Sequence, residues 1–164
     1  MATDAQLLAH LLFLLIVANG APVLTHAIFK HNGNRPLDGG LILGDGQPLF
    51  GPSKTVRGIV ASLLVTTLTA AAFMLPWYLG AVIAIGAMLG DLISSFTKRR
   101  LRMPSSSQAL GLDQIPEALL PLLLLTPWVH IAVVDIAILV VAFVVLELVL
   151  SRVLYRFRLR ERPY

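Results

Sequence analysis

Cysteine is absent from this chain, and charge is scarce. Without a thiol there is no disulfide, no thiolate nucleophile and no cysteine-ligated zinc. Charged residues are 13% of the 164, against about 25% in ordinary soluble domains, which leaves too little polar surface to enclose a water-facing core. The histidines His10, His26, His31 and His130 are dispersed and make no metal-binding spacing. No internal repeat divides the chain into the paired halves common in transporters. A Walker A loop is missing too, because Ser53 stands where its Gly must precede Lys54. Nucleic-acid binding is a poor fit, since the basic residues are spread between apolar runs and carry no binding motif.

What the chain has instead is apolar length. Hydrophobic residues make up 57% of it, and the mean hydropathy is +0.81. In lipid the backbone satisfies its polar groups only within helices or closed barrels, so long apolar runs read as helical spans. Five emerge, at about 5–24, 56–75, 77–96, 117–129 and 131–155. Leu11 to Ala18 is wholly apolar in the first, and Asn19-Gly20-Ala21-Pro22 breaks the pattern near its end. Pro76 stops the second; Trp77 and Tyr78 open the third with amphipathic aromatics suited to the interface. The fourth is short for a crossing and needs an earlier start or a thinner bilayer. The first run lacks a basic leader and a small-residue cleavage site, so it reads as a retained helix. The expected fold is all-α: one polytopic membrane domain over 1–164, with about five transmembrane helices and polar cytosolic loops.

Charge supplies the orientation. With five spans, all 13 Lys and Arg fall on one side: Lys30 and Arg35, Lys54 and Arg57, Lys98 to Arg102, and Arg152 to Arg162. The other side holds Asp4, the Pro76 turn and the turn from His130 to Asp135. The positive-inside rule then puts the N-terminus outside and the C-terminus in the cytosol, as expected of a multi-pass protein of the cell membrane. A wrong number of helices would scatter the basic residues over both sides.

Two stretches hold the polar chemistry. The first, about 25–55, contains Asn32-Gly33-Asn34, Asp38-Gly39-Gly40, Gly44-Asp45-Gly46 and Gly51-Pro52-Ser53-Lys54-Thr55. Glycines let backbone N–H groups approach phosphate, and Lys54 and Arg57 lie beside them; plain turns use the same glycines, and the residues alone leave both readings open. In the second, Asp91, Ser94, Ser95 and Lys98 fall at helical spacing on one face of the third span. They follow Gly86 and Gly90, a small-residue seam that lets helices pack closely. An acid within a span is costly and reads as functional by default; the plainer alternative is an ion pair with Lys98 or a nearby Arg. Asp113 and Glu117 share a face if the fourth span has begun, and two carboxylates beside a basic loop can hold Mg²⁺ together with substrate phosphates. Capping of the helix N-terminus is the equal alternative. Glu147, in the fifth span, reads as packing against a partner helix, and Arg152 to Arg162 as an anchor to anionic membrane lipids.

Taken together, these residues resemble the CDP-archaeol synthase family, CTP-dependent membrane enzymes of phospholipid biosynthesis related to phosphatidate cytidylyltransferases. The similarity runs over nearly the whole chain. It is most specific at Gly44-Asp45-Gly46, at Gly51 through Gly58, at Gly90-Asp91 through Ser95-Phe96-Thr97-Lys98-Arg99-Arg100, and at Gly111-Leu112-Asp113-Gln114. Two departures stand out. Only Gly111 precedes the acidic residue where the wider signature has His-Gly-Gly, and Pro116 stands where a second Asp is expected, with Glu117 one position further on.

The resemblance implies cytidylyl transfer from CTP to a lipid phosphate, an archaetidic-acid-like ether lipid or similar, giving a CDP-lipid and pyrophosphate. It implies Asp91, Asp113 and Lys98 as catalytic, with Mg²⁺ held by Asp91, Asp113 and Glu117. Lys54, Arg57, Asp45, Ser95 and Arg99 are then substrate-binding. The partners are CTP and the lipid phosphate, and the reading admits a homodimer. Its rivals are activity on ester lipids, a CDP-alcohol phosphotransferase, whose Asp-Gly-x-x-Ala-Arg start is absent here, and a non-catalytic transporter or scaffold.

Overall fold

The computed structural model describes residues 4–29 and 35–156; Lys30, His31, Asn32-Gly33-Asn34 and the basic run beyond Arg156 lie outside the described residues. Five helices follow one another: α1 (Ala5–Phe29), α2 (Val56–Ala72), α3 (Trp77–Arg100), α4 (Gln114–Leu125) and α5 (Val133–Arg156). Helices α1, α3 and α5 are long and apolar enough to cross a membrane; α2 and α4, at 17 and 12 residues, are shorter. Among the described residues there is no strand, only two isolated bridges, Pro36 with Thr55 and Ile42 with Pro48, in the loop between α1 and α2.

Helix α1 runs on through Pro22 to Phe29, past the point where the sequence pattern breaks. A proline inside a helix frees the carbonyl four residues before it. Here that carbonyl, on Ala18, accepts the Ser62 hydroxyl of α2 at 2.7 Å, so the lost helical bond becomes an interhelical one. Helix α2 starts where Thr55, in extended conformation, accepts the Gly58 amide at 3.2 Å through its side chain.

The seam on α3 decides the packing. A Cβ at Gly80 would come within 2.6 Å of the Thr66 carbonyl of α2, and one at Gly86 would strike Pro121 of α4. At Gly90 it would run into the backbone of Pro116 and Glu117. Close approach on both sides puts α3 in the middle, packed against α1, α2 and α4, while α5 packs on α4 and α1. Leu11, Leu14 and Leu15 of α1, Ile83 of α3, Leu122 and Leu125 of α4 and Phe143 of α5 form the fully buried core. Val60, Leu64 and Leu68 of α2 and Val141 and Val145 of α5 point outward, as lipid-facing residues do.

The fourth helix differs from the span expected at 117–129. It begins three residues earlier, at Gln114, and stops at Leu125, ahead of Thr126-Pro127. Twelve residues rise only about 18 Å, well short of the roughly 30 Å hydrocarbon core. The missing length is at the start. Pro116 packs against Gly90, ten residues before the end of α3, which is about 15 Å along that helix. The first turn of α4, with Glu117, therefore sits inside the bundle.

Candidate active site

Asp91 is the acid that the apolar layer must satisfy. It does so with Lys54, which reaches in from the loop before α2: Nζ lies 2.5 Å from Oδ1 and 2.6 Å from Oδ2. Both side chains are mostly enclosed, 20% and 22% exposed. The Lys54 backbone is fixed on both sides, its carbonyl accepting Leu37 N at 2.7 Å and its amide donating to Gly51 O at 3.2 Å. Burial pulls the Lys54 ammonium down, but the charges of Asp91, Glu117 and Asp113 outweigh it and hold the pKa above the usual lysine value. Lys54 is thus a firm cation. The ion-pair alternative weighed for Asp91 is present, with Lys54 as the partner in place of Lys98 or an Arg.

Glu117, from the first turn of α4, lines the same cavity as Asp91, and the two carboxyls act on each other electrostatically. Two carboxyls so placed can serve one cation between them. Asp113 turns elsewhere: Lys98 Nζ meets its Oδ1 at 2.7 Å, and its Oδ2 accepts Ala109 N at 2.8 Å. Lys98 also donates to Ser107 O at 2.9 Å, and Arg99 Nη2 to Pro104 O at 2.8 Å, so the segment after α3 is folded back over its last-turn cations. Ser94 donates to Leu112 O at 2.6 Å and ties the approach to α4 onto α3.

These groups border one cavity of about 490 Å³, lined by all five helices and the two loops at the end where α1, α3 and α5 finish. Its lining is mixed: Lys54, Asp91, Ser95, Lys98, Arg99, Asp113 and Glu117 are polar, while Ile16 and Val23 of α1, Met88 and Leu92 of α3 and Phe143 and Leu150 of α5 are apolar.

The remaining residues expected at the site fall outside its lining. Asp45 pairs with Arg100 at 2.7 Å and accepts Gln47 N at 3.1 Å, which latches the loop to the end of α3. Its carboxyl is held below the usual range, first by the Gln47 amide and then by Arg100. Arg57 lies over the Phe29 ring at 5.7 Å. The glycine segment around Asp38 shapes the same loop: burial raises the Asp38 carboxyl, yet the amides of Gly51, Phe50 and Gly40 together hold it below the usual value. Among the described residues of this loop, only 52–55 reach the cavity.

Three contributors were not read from the sequence. Glu147 lines the cavity and acts electrostatically on Glu117, so it does more than pack against a neighbour. His26 of α1 and the serines at 105–107 also face it. A signal was available for Glu147 alone, as an acid within an apolar helix.

Among the described residues no group of three acidic or histidine side chains is placed to hold a metal. The three carboxylates expected to share one ion are therefore divided, Asp91 with Glu117 and Asp113 with Lys98. The Asp91–Glu117 pair still fits, since Mg²⁺ usually takes one or two carboxylates and fills its other positions with water and phosphate oxygens.

An all-helical, multi-pass membrane protein with a charged cavity sunk among its helices is the class that fold and site define. The CarS-like family model, described as CDP-archaeol synthase, matches residues 72–164. Among curated relatives, the CDP-archaeol synthase of Pyrobaculum islandicum is 35% identical over 161 residues, covering 93% of this chain and 96% of that protein. That of Thermococcus onnurineus is 38% identical over 109 residues, 60% of this chain and 61% of the relative. That of Hyperthermus butylicus is 41% identical over 106 residues, 61% and 60%. The matched stretch thus spans about three-fifths of the length of the last two. A solved structure, described as an intramembrane enzyme for archaeal membrane lipids biosynthesis, superposes with a TM-score of 0.74 at 29% identity, covering 92% of this chain and 96% of its own. The chain belongs to the CDP-archaeol synthase family.

Proposed function

We propose that this protein transfers a cytidylyl group from CTP to a lipid phosphate, producing a CDP-lipid and pyrophosphate. The observation that carries the reading is the mixed lining of the cavity: two lysines, an arginine and several carboxylates together with apolar side chains of α1, α3 and α5. Such a space suits a reaction between a polyanion from water and a phosphate on a lipid. The relatives' name supplies the nucleotide.

A lipid phosphate oxygen attacks the α-phosphorus of CTP. The bond from that phosphorus to the oxygen bridging the β-phosphate breaks, and its electron pair leaves with pyrophosphate. The attacking phosphate is a dianion, so no base is required. Catalysis of this kind is mainly positioning and charge stabilisation. Lys54 meets the phosphates beside Asp91, and Lys98 and Arg99 meet the charge that grows on the leaving group. Asp91 and Glu117 would hold Mg²⁺, which supplies Lewis-acid stabilisation of phosphate oxygens. The apolar lining residues would meet the first part of the lipid chains, which otherwise stay in the bilayer.

The test is the purified protein with CTP, Mg²⁺ and a panel of ether- and ester-linked lipid phosphates, following CDP-lipid and pyrophosphate together. No CDP-lipid from any member would overturn the reading. Lys54→Ala and Lys98→Ala should each lower kcat/KM for CTP roughly 10- to 100-fold, the worth of a hydrogen bond to a charged group. Wild-type kinetics in both, measured on folded protein in detergent, would make these lysines topological determinants only. The cytosol supplies CTP, so the N-terminus lies outside and the C-terminus inside. Reporter fusions at the two ends should report opposite sides, and both ends on one side would exclude this arrangement.

A further inference from the structure

Lys54 belongs to no helix, yet its ammonium meets an acid well inside one. Asp91 lies nine residues before the end of α3, about 14 Å along that helix. Lysine carries a flexible four-carbon stem, so its tip stays in one place only if the backbone beneath it is fixed. Helix α2 orders the chain from Val56 onward. What comes before must be ordered by the loop itself.

A ring of backbone bonds does this. The Lys54 amide donates to Gly51 O at 3.2 Å and closes the turn 51–54, while Leu37 N donates to the Lys54 carbonyl at 2.7 Å. Alongside, Val56 N donates to Arg35 O at 3.2 Å and Pro36 bridges Thr55. Further round, Leu49 N donates to Leu41 O at 2.9 Å. Glycines at 39, 40, 46 and 51, all at positive φ, make these bends possible and leave the loop easy to deform.

One side chain ties the ring together. Asp38 Oδ2 accepts the amides of Phe50 and Gly51, each at 2.9 Å, and Oδ1 accepts Gly40 N at 3.0 Å. Asp38 follows Leu37, which holds the Lys54 carbonyl, and binds Gly51, which holds the Lys54 amide. Its charge is taken up by these amides and not by a cation. Asparagine cannot do the same: it has one acceptor oxygen in place of two, and its NH₂ would face an N–H group whichever way the amide is turned.

We infer that Asp38 is a positioning residue for Lys54: its carboxylate fixes the 51–54 turn, and that turn aims the Lys54 ammonium at Asp91 and the cavity. Asp38 is not among the residues that line the cavity, so it acts through the turn and not on a substrate. The kinetic consequence rests on the cytidylyl-transfer reading; the placement of Lys54 does not.

The experiment separates the two. The chain has three lysines, Lys30, Lys54 and Lys98, so an acetylating reagent followed by mass spectrometry reads Lys54 directly in the purified full-length protein in detergent. Asp38→Asn should raise the labelling rate of Lys54 severalfold. Lys98, held by Asp113 and Ser107 O, should label as in wild type. In the same variant kcat/KM for CTP should fall about tenfold, the worth of one hydrogen bond to a charged group. Asp38→Asn/Lys54→Ala should be no slower than Lys54→Ala alone, because both changes remove the same interaction. Gly51→Ala disturbs the turn from its other end, with a Cβ at φ +94° and 3.1 Å from Ser105 Oγ; it should expose Lys54 with Asp38 intact. Wild-type labelling of Lys54 in Asp38→Asn would overturn the inference, as would losses that multiply in the double variant. Equal rises at Lys54 and Lys98 in both single variants would also overturn it, since Asp38 would then hold the fold as a whole. Faster labelling of Lys54 in a protein that makes no CDP-lipid even as wild type would leave Asp38 in this role and remove the reaction reading instead.

Discussion

Replacing Asp91 by Asn should lower CDP-lipid formation at least about a hundredfold while the five helices stay assembled. The amide matches the carboxylate in shape but carries no charge for a metal-nucleotide or for Lys54. The helices should survive because Gly80, Gly86 and Gly90, which set the α3 contacts, are untouched. Lys54 loses its partner in an enclosed site, however. Removing one member of a buried ion pair typically costs about 3–5 kcal/mol, so melting must be measured beside activity. The double variant Asp91→Asn/Lys54→Ala should regain much of the stability and none of the activity. Recovery of activity in the double variant would mean that Asp91 only neutralises Lys54. Glu117→Gln should also impair turnover severely, because Glu117 lines the cavity with Asp91, acts on it electrostatically and stands next to Pro116, where the family pattern expects a second acid. A mild effect would reduce it to a helix-start residue.

Gly90→Ala should be the most damaging small substitution in the chain. The added methyl would meet the Pro116 carbonyl and the Glu117 amide, all backbone, so no rotamer change relieves it. Overpacking of this kind costs about 1–3 kcal/mol and shifts helices apart. Here the shift also carries Glu117 away from Asp91, so stability and activity should fall together. Gly44→Ala is the control: a Cβ there meets nothing within 4 Å, and its melting temperature should match wild type. A normal melting temperature for Gly90→Ala would show that α3 and α4 do not pack as closely as Gly90 and Pro116 indicate.

Much of this was legible before any coordinates, because lipid imposes a simple rule: apolar runs become helices, and charges gather at one end. The five helices, the small-residue seam and an acid in the apolar layer at Asp91 all follow from composition and spacing. Helix ends were less legible. Pro22 looks like a terminator until Ser62 of α2 is seen to take the freed carbonyl, a contact 44 residues away in sequence. The start of α4 was likewise set by Gly90 on another helix.

The partners of the charges were decided by tertiary structure alone. Sequence proximity favours Asp91 with Lys98 and Asp113 with Glu117; folding pairs Asp91 with Lys54 and Asp113 with Lys98, and brings Glu117 to the cavity that Asp91 lines. Asp45 illustrates the same limit, a motif acid whose charge is taken by Arg100 at the rim. Glu147 joins the cavity only because α5 turns that face inward. Sequence determines which groups must be buried and at what depth, since each helix counts its residues along one axis. It does not determine the rotation of one helix about another or the path of a returning loop. Those depend on contacts between distant residues, and here they settle which carboxylate meets which cation.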